Sequence, residues 1–205
     1  VRLKTPARIY TAGLVLALTL SPAQAQFVSA EPATASASLA SIRIDNFGQV
    51  DSTYYRGAQP QGQDYATLAG LGIKAVINLT SDDASADEQT MTERAGLKYF
   101  QIPMTTHVPP TAPQLSEFLK IVNDPANQPV YVHCVGGRHR TGVMTAVYRI
   151  SRSSWTPDQA FKEMKQFKFG ADFLHSEFKQ FVYAYPALLR AAATAAAAPL
   201  QKAGG

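Results

Sequence analysis

Cysteine is almost absent: Cys134 is the only one in 205 residues, so no disulfide can close within the chain. That thiol and the four histidines show no spacing of the zinc-motif kind. Lysine-rich tracts are missing too, which removes the electrostatic basis for a nucleic-acid or membrane-surface role. The longest apolar run, residues 9–20, falls short of the roughly 18 to 20 residues that a membrane span needs. Between Glu93 and Glu117 there is no carboxylate at all.

The order of features around that apolar run is informative. Arg2, Lys4 and Arg8 precede it, and Ala23-Gln24-Ala25 follows it. Positive start, short apolar core and small residues two apart describe a Sec-type signal peptide, cleaved after Ala25, with a periplasmic or secreted product. Val1 reads as an alternative start codon, hence a bacterial gene. The formal charge of +4 then belongs largely to the leader, since the rest carries 16 Lys and Arg against 15 Asp and Glu. Residues 26–41, rich in Ala, Ser and Pro, read as a flexible leader. Residues 42–190 hold one domain, and 191–205 an alanine-rich tail that extends the last helix until Pro199 stops it.

Within the domain two periodicities alternate. "IRID" and "STYYRG" read as short strands, "DYATLAGLG" as a helix, and "IKAVINL" as a strand buried on both faces. A polar helix, "SADEQTMTERAG", precedes the strand "LKYFQIP". "TAPQLSEFLKIV" places Leu115, Phe118, Leu119 and Val122 on one helical face, and "PVYVHC" is a further central strand. Three helices complete the pattern, which predicts an α/β fold with a mostly parallel central sheet flanked by helices. Ligands of such sheets sit at the carboxyl ends of the strands.

"VHCVGGRHRTG", residues 132–142, occupies that place. Cys134 ends a strand and a helix begins near Arg140, so the thiol meets converging backbone N–H groups that favour thiolate. Gly136 and Gly137 let the loop turn its N–H groups inward as an anion nest beside Val135, and Arg138 and His139 add positive charge inside the cup. Arg140 can fold back and grip two oxygens of an oxyanion, and the Thr141 hydroxyl can donate to the sulfur. These parts suit a phosphate above a nucleophilic sulfur: Sγ attacks phosphorus, the ester oxygen leaves, and water hydrolyses the cysteinyl-phosphate.

His-Cys-x5-Arg-Thr resembles the cysteine-based protein tyrosine and dual-specificity phosphatase superfamily. "GGRHRTG", "YRGAQP", "LGIKAVINL" and "FQIP" are similar to the atypical plant and fungal members and their bacterial relatives. The resemblance spans about residues 43–183. It implies a phosphate-binding loop between the last strand and a helix, with Cys134 as nucleophile, Arg140 as phosphate clamp, Thr141 as thiolate partner and His133 as a loop-orienting residue. No cofactor or metal is implied, and the partner is a phosphorylated small molecule or phosphoprotein. Phosphotyrosine and inositol polyphosphates are both conceivable substrates.

One part of that pattern is missing. The superfamily places an acidic aspartate about 30 residues before the cysteine, where this chain has Thr105 and Thr106. His107 and Asp83 are the candidate proton donors; Asp82 and Asp83 also read as a helix cap. Without an acid the site would still cleave esters of acidic leaving groups. Two other functions remain open at this stage: a phosphate-binding pseudo-phosphatase, and a rhodanese-like sulfurtransferase working through a persulfide on Cys134.

Overall fold

The computed structural model describes residues 41–81 and 83–197, together with Val1 and Leu39. The expected signal peptide beyond Val1, most of the expected flexible leader, Asp82 and residues 198–205 lie outside the described residues. The elements follow in order as β1 (Gly48–Asp51), β2 (Tyr54–Gly57), α1 (Asp64–Gly70), β3 (Ala75–Asn78), α2 (Glu88–Arg94) and β4 (Lys98–Gln101). Then come α3 (Ala112–Asn123), a 3-10 turn (Pro125–Asn127), β5 (Val130–His133), α4 (Arg140–Arg152), α5 (Pro157–Gln166) and α6 (Ser176–Ala197).

Five strands form one sheet in the order β1-β2-β5-β3-β4. Only the β1–β2 pair is antiparallel. The expected mostly parallel α/β architecture is therefore present. The expected strand over residues 42–45 is not: that stretch is irregular and pairing starts at Gly48. Asn46 explains the difference, because its φ of 56° is left-handed and breaks the extended run before it can pair.

Alternation along the strands divides the core into two layers. Tyr54, Ala75, Ile77, Val130 and Val132 face α3, α4, α5 and α6. Tyr55, Val76 and Tyr131 face the other side, where Leu68, Ile73 and Leu97 cover them. β5 and β3 are buried throughout, as their unbroken apolar runs require. The amphipathic α3 seats Phe118, Ile121 and Val122 on the sheet, while Leu115 and Leu119 close the margin. Its start is fixed by Thr111, whose N–H donates to Gln114 Oε1 at 2.7 Å. The alanines of the tail extend α6 to Ala197.

Phe118 is fully buried and meets the Tyr54 ring edge-on, with 6.4 Å between centroids. Phe118→Ala should lower unfolding stability by about 3–5 kcal/mol, as truncation of a buried phenylalanine usually does. Urea denaturation monitored by circular dichroism would measure it.

Candidate active site

β5 lies between β2 and β3, and its register aligns His133 with Gly57 on one side and Asn78 on the other. The chain leaves the sheet at Cys134 and becomes helical at Arg140. Between them the loop frames a cavity of about 440 Å³ lined by Asp83, Thr106, Cys134, Val135, Gly136, Arg138, His139 and Arg140. Another cavity of about 450 Å³ lies between α3 and α6, but its walls are apolar side chains such as Leu115, Leu119 and Phe181. Its described lining holds no thiol and no cation, so that second cavity lacks the parts of the first.

A loop that points its N–H groups at an anion must send carbonyls the other way, and those need donors. "YRGAQP" supplies them from behind. Buried Arg56 donates from Nη2 to Gly137 O at 2.6 Å, while its guanidinium lies 4.1 Å from the Phe167 ring centroid. Asn46 Nδ2 donates to the same oxygen at 2.8 Å and to Phe167 O at 2.9 Å. The Gln59 N–H donates to Val135 O at 3.1 Å. Gly137 has φ of 62°, and a Cβ there would run into the Gly57–Ala58 peptide. Both the turn and the close approach to β2 therefore demand glycine. Gly137 packs against β2 instead of lining the cavity.

Cys134 is 3% exposed, so the thiol is reached only through the cavity. Burial pushes its pKa up and is the largest single influence. The Thr141 hydroxyl and N–H, the charge of Arg140 and the Arg138 N–H together outweigh it and hold the thiol below its usual value. Thr141 Oγ1 is buried without an oxygen or nitrogen partner, as suits a hydroxyl kept for sulfur.

Arg140 is oriented by Asp83. Nη1 donates to Asp83 Oδ1 at 2.8 Å and to Met104 O at 3.0 Å, and Nη2 donates to Asp83 Oδ2 at 2.6 Å. These bonds use three of the five guanidinium hydrogens, in an end-on fork. Nε, buried and unpartnered, remains with the second Nη2 hydrogen along the side of the group. That edge can take two phosphate oxygens without Arg140 releasing Asp83.

Behind the loop runs a second network. His133 Nε2 lies 2.7 Å from Glu88 Oε1, both side chains being fully buried. Glu88 Oε2 accepts from Asn78 Nδ2 at 2.6 Å and Gln59 Nε2 at 2.8 Å. Asn78 Oδ1 in turn accepts from Thr80 N at 2.7 Å and Thr80 Oγ1 at 2.6 Å. The carboxyl ends of β3 and β5, the start of α2 and the segment after β2 are thus tied at one point.

Residues 41–190 match the tyrosine phosphatase family. The chain belongs to that family. Among its relatives is the Dictyostelium discoideum protein named "Probable tyrosine-protein phosphatase DG1060", 33% identical over 60% of this chain and 75% of its own. The Saccharomyces cerevisiae inositol diphosphatase SIW14 is 29% identical over 62% of this chain and 47% of its own. Its core catalytic domain, solved with citrate, superposes with a TM-score of 0.63 at 28% identity, covering 78% of this chain and 98% of that one. The Pseudomonas aeruginosa dual-specificity protein phosphatase TpbA is 31% identical over 61% of this chain and 56% of its own. Its crystal structure gives a TM-score of 0.58 at 28% identity, covering 67% of this chain and 83% of that one. The alignments thus take in about half of the yeast and Pseudomonas proteins.

Against the family pattern, several expected site residues need correction. Asp83 is no proton donor: hydrogen bonding to Arg140 holds its carboxyl below the ordinary range, although burial opposes this, and both oxygens already accept bonds. His139 adds no positive charge to the cup. Burial, and then His175, Arg138 and Arg140, lower its pKa to about 4, and Nε2 faces Phe169 O at 3.1 Å. Arg138 lines the cavity, and its half-exposed guanidinium stands 3.8 Å from the Asp45 carboxylate. His107 lies at the rim, outside the lining residues, with its side chain 70% exposed. Glu88, Asn78, Gln59 and Asn46 were not expected at the site; "GAQP" beside the loop was the only signal for one of them.

Asp83→Asn removes the charge that aligns the clamp. We expect kcat/KM for an aryl phosphate to fall roughly 10- to 100-fold, the scale of a lost charge-assisted hydrogen bond. Because Asp83 titrates below the usual carboxylate range, its contribution should persist as pH falls to about 4 and vanish only on further acidification. Steady-state rates of both proteins against pH would test the size and the acid limb together.

Proposed function

We propose that this tyrosine phosphatase family member hydrolyses phosphate from acidic leaving groups through a cysteinyl-phosphate on Cys134. The observation that carries the reading is a thiol held below its usual pKa at the floor of a cavity, beside a guanidinium with one free edge. Phosphate would sit on the loop N–H groups with two oxygens on Arg140. Cys134 Sγ forms the S–P bond as the ester oxygen departs, and water then breaks that bond, returning thiolate and inorganic phosphate. Thr141 stabilises the thiolate before attack and again as it leaves.

The leaving group is limited by protonation. Asp83 is the only carboxylate lining the cavity among the described residues, and it is ionised. His139, also at the wall, is neutral and turned to Phe169. A departing oxygen must therefore be stable as an anion, as a phenolate or a phosphate is. Both relative types fit this class: SIW14 is named an inositol diphosphatase, and TpbA has been solved in complex with phosphotyrosine. Arg138 at the mouth favours substrates that carry further negative charge. From the charged, apolar and small-residue order of residues 1–25, we propose that the enzyme works outside the cytoplasm.

Three measurements test the reading on reduced protein. Cys134→Ser should abolish hydrolysis of p-nitrophenyl phosphate. The pH midpoint of iodoacetamide alkylation of Cys134 should lie below the ordinary thiol value of about 8.5, because the thiolate is the reactive form. Across a series of aryl and alkyl phosphates, rates should fall steeply as the leaving group becomes more basic; equal rates for an alkyl phosphate would reveal a proton donor and overturn the limit.

A further inference from the structure

Three of the four histidines meet beside the mouth of the cup. His107, on the loop between β4 and α3, stacks on His175, with 5.0 Å between ring centroids and 21° between planes. His175, just before α6, packs on His139, with centroids 3.8 Å apart. Glu177, in the first turn of α6, completes the group. One of its oxygens, Oε1, lies 3.4 Å from His175 Nδ1 and 3.6 Å from His107 Nδ1.

Those distances are too long for charge-assisted hydrogen bonds, which run at about 2.7–2.9 Å. They fit two edges of a coordination tetrahedron, since bonds of about 2.0–2.1 Å to zinc put neighbouring ligand atoms about 3.3 Å apart, and all three donor atoms lie within 4.8 Å of one another. His175 Nδ1 and Glu177 Oε1 are both buried, and the long 3.4 Å contact between them is not a well-formed hydrogen bond for either atom. Buried polar atoms are seldom left so. A cation between them would satisfy both at once.

We propose that His107, His175 and Glu177 bind a divalent cation of the zinc class at the rim of the phosphate cup. Two imidazoles and one carboxylate suit zinc over magnesium or calcium, which take oxygen ligands. Three protein ligands leave a fourth position open to water or to an oxygen of a bound anion. The site borders the cavity through His139, which lines it, and through Thr106, the neighbour of His107. The proposal does not depend on turnover by Cys134, and its test excludes that thiolate as a ligand.

The experiment titrates zinc against a chromogenic chelator using the full chain carrying Cys134→Ser. One zinc per chain should bind, millimolar magnesium should not displace it, and addition of His107→Ala should weaken it at least about tenfold. His107 is mostly exposed, so its loss should leave the fold intact, which circular dichroism would check. Glu177→Gln should weaken binding as well. No stoichiometric binding, displacement by magnesium, or an affinity indifferent to His107→Ala would overturn the proposal.

Discussion

The Gly137 carbonyl, held by Arg56 and Asn46, is the point on which the site turns. Inward-facing N–H groups leave outward-facing carbonyls, and a carbonyl buried without a donor costs about 1–3 kcal/mol. Here the donors come from β2 and from the turn before β1, so the loop's shape is dictated by a part of the sheet far away in sequence. Gly57 belongs to the same constraint: a side chain there would collide with the Tyr131 hydroxyl, which donates to Ala58 O. "YRGAQP" is therefore the back half of the cup.

Electrostatics divides the remaining work. Glu88 anchors His133 from behind and Asp83 aligns Arg140 end-on, leaving the cavity with positive guanidinium edges and, among the described residues, no carboxylate free to protonate. An acid that braces the clamp cannot also give a proton, because the bond to Arg140 depends on its charge. Reactivity is thereby confined to groups that leave as anions. The same arrangement explains how a thiol so deeply buried stays below its ordinary pKa: the N–H, hydroxyl and guanidinium donors outweigh its desolvation.

Much of this was legible in the residues. Strand and helix periodicity located β3, β4, β5 and the helices, and the spacing from Cys134 to Arg140 marked the loop, because both signals are local in sequence. Asn46 shows where local signals stop: "IRID" has strand character, yet a left-handed residue ends it and diverts the side chain to the loop. Glu88 was hidden in a polar helix, where nothing in the pattern distinguished the one carboxylate that folding would bury. The partnership of Asp83 with Arg140 was equally silent: "TSDDASADE" reads as a helix cap, yet α2 starts at Glu88 with Asp87 before it, and Asp83 pairs with the distant arginine instead. The three donors at the rim come from separate loops and follow no motif spacing, so only the fold brings them together.

Arg56 carries its charge with no exposure to water, faced by a carbonyl and an aromatic ring, with Nε and Nη1 unpartnered. Such a charge is tolerable only while β2, the loop and Phe167 are assembled around it. Cup and core are therefore thermodynamically linked: an anion that binds the assembled loop and not the unfolded chain draws the whole domain toward its folded state. For this protein, occupancy of the active site and resistance to unfolding are two readings of one equilibrium.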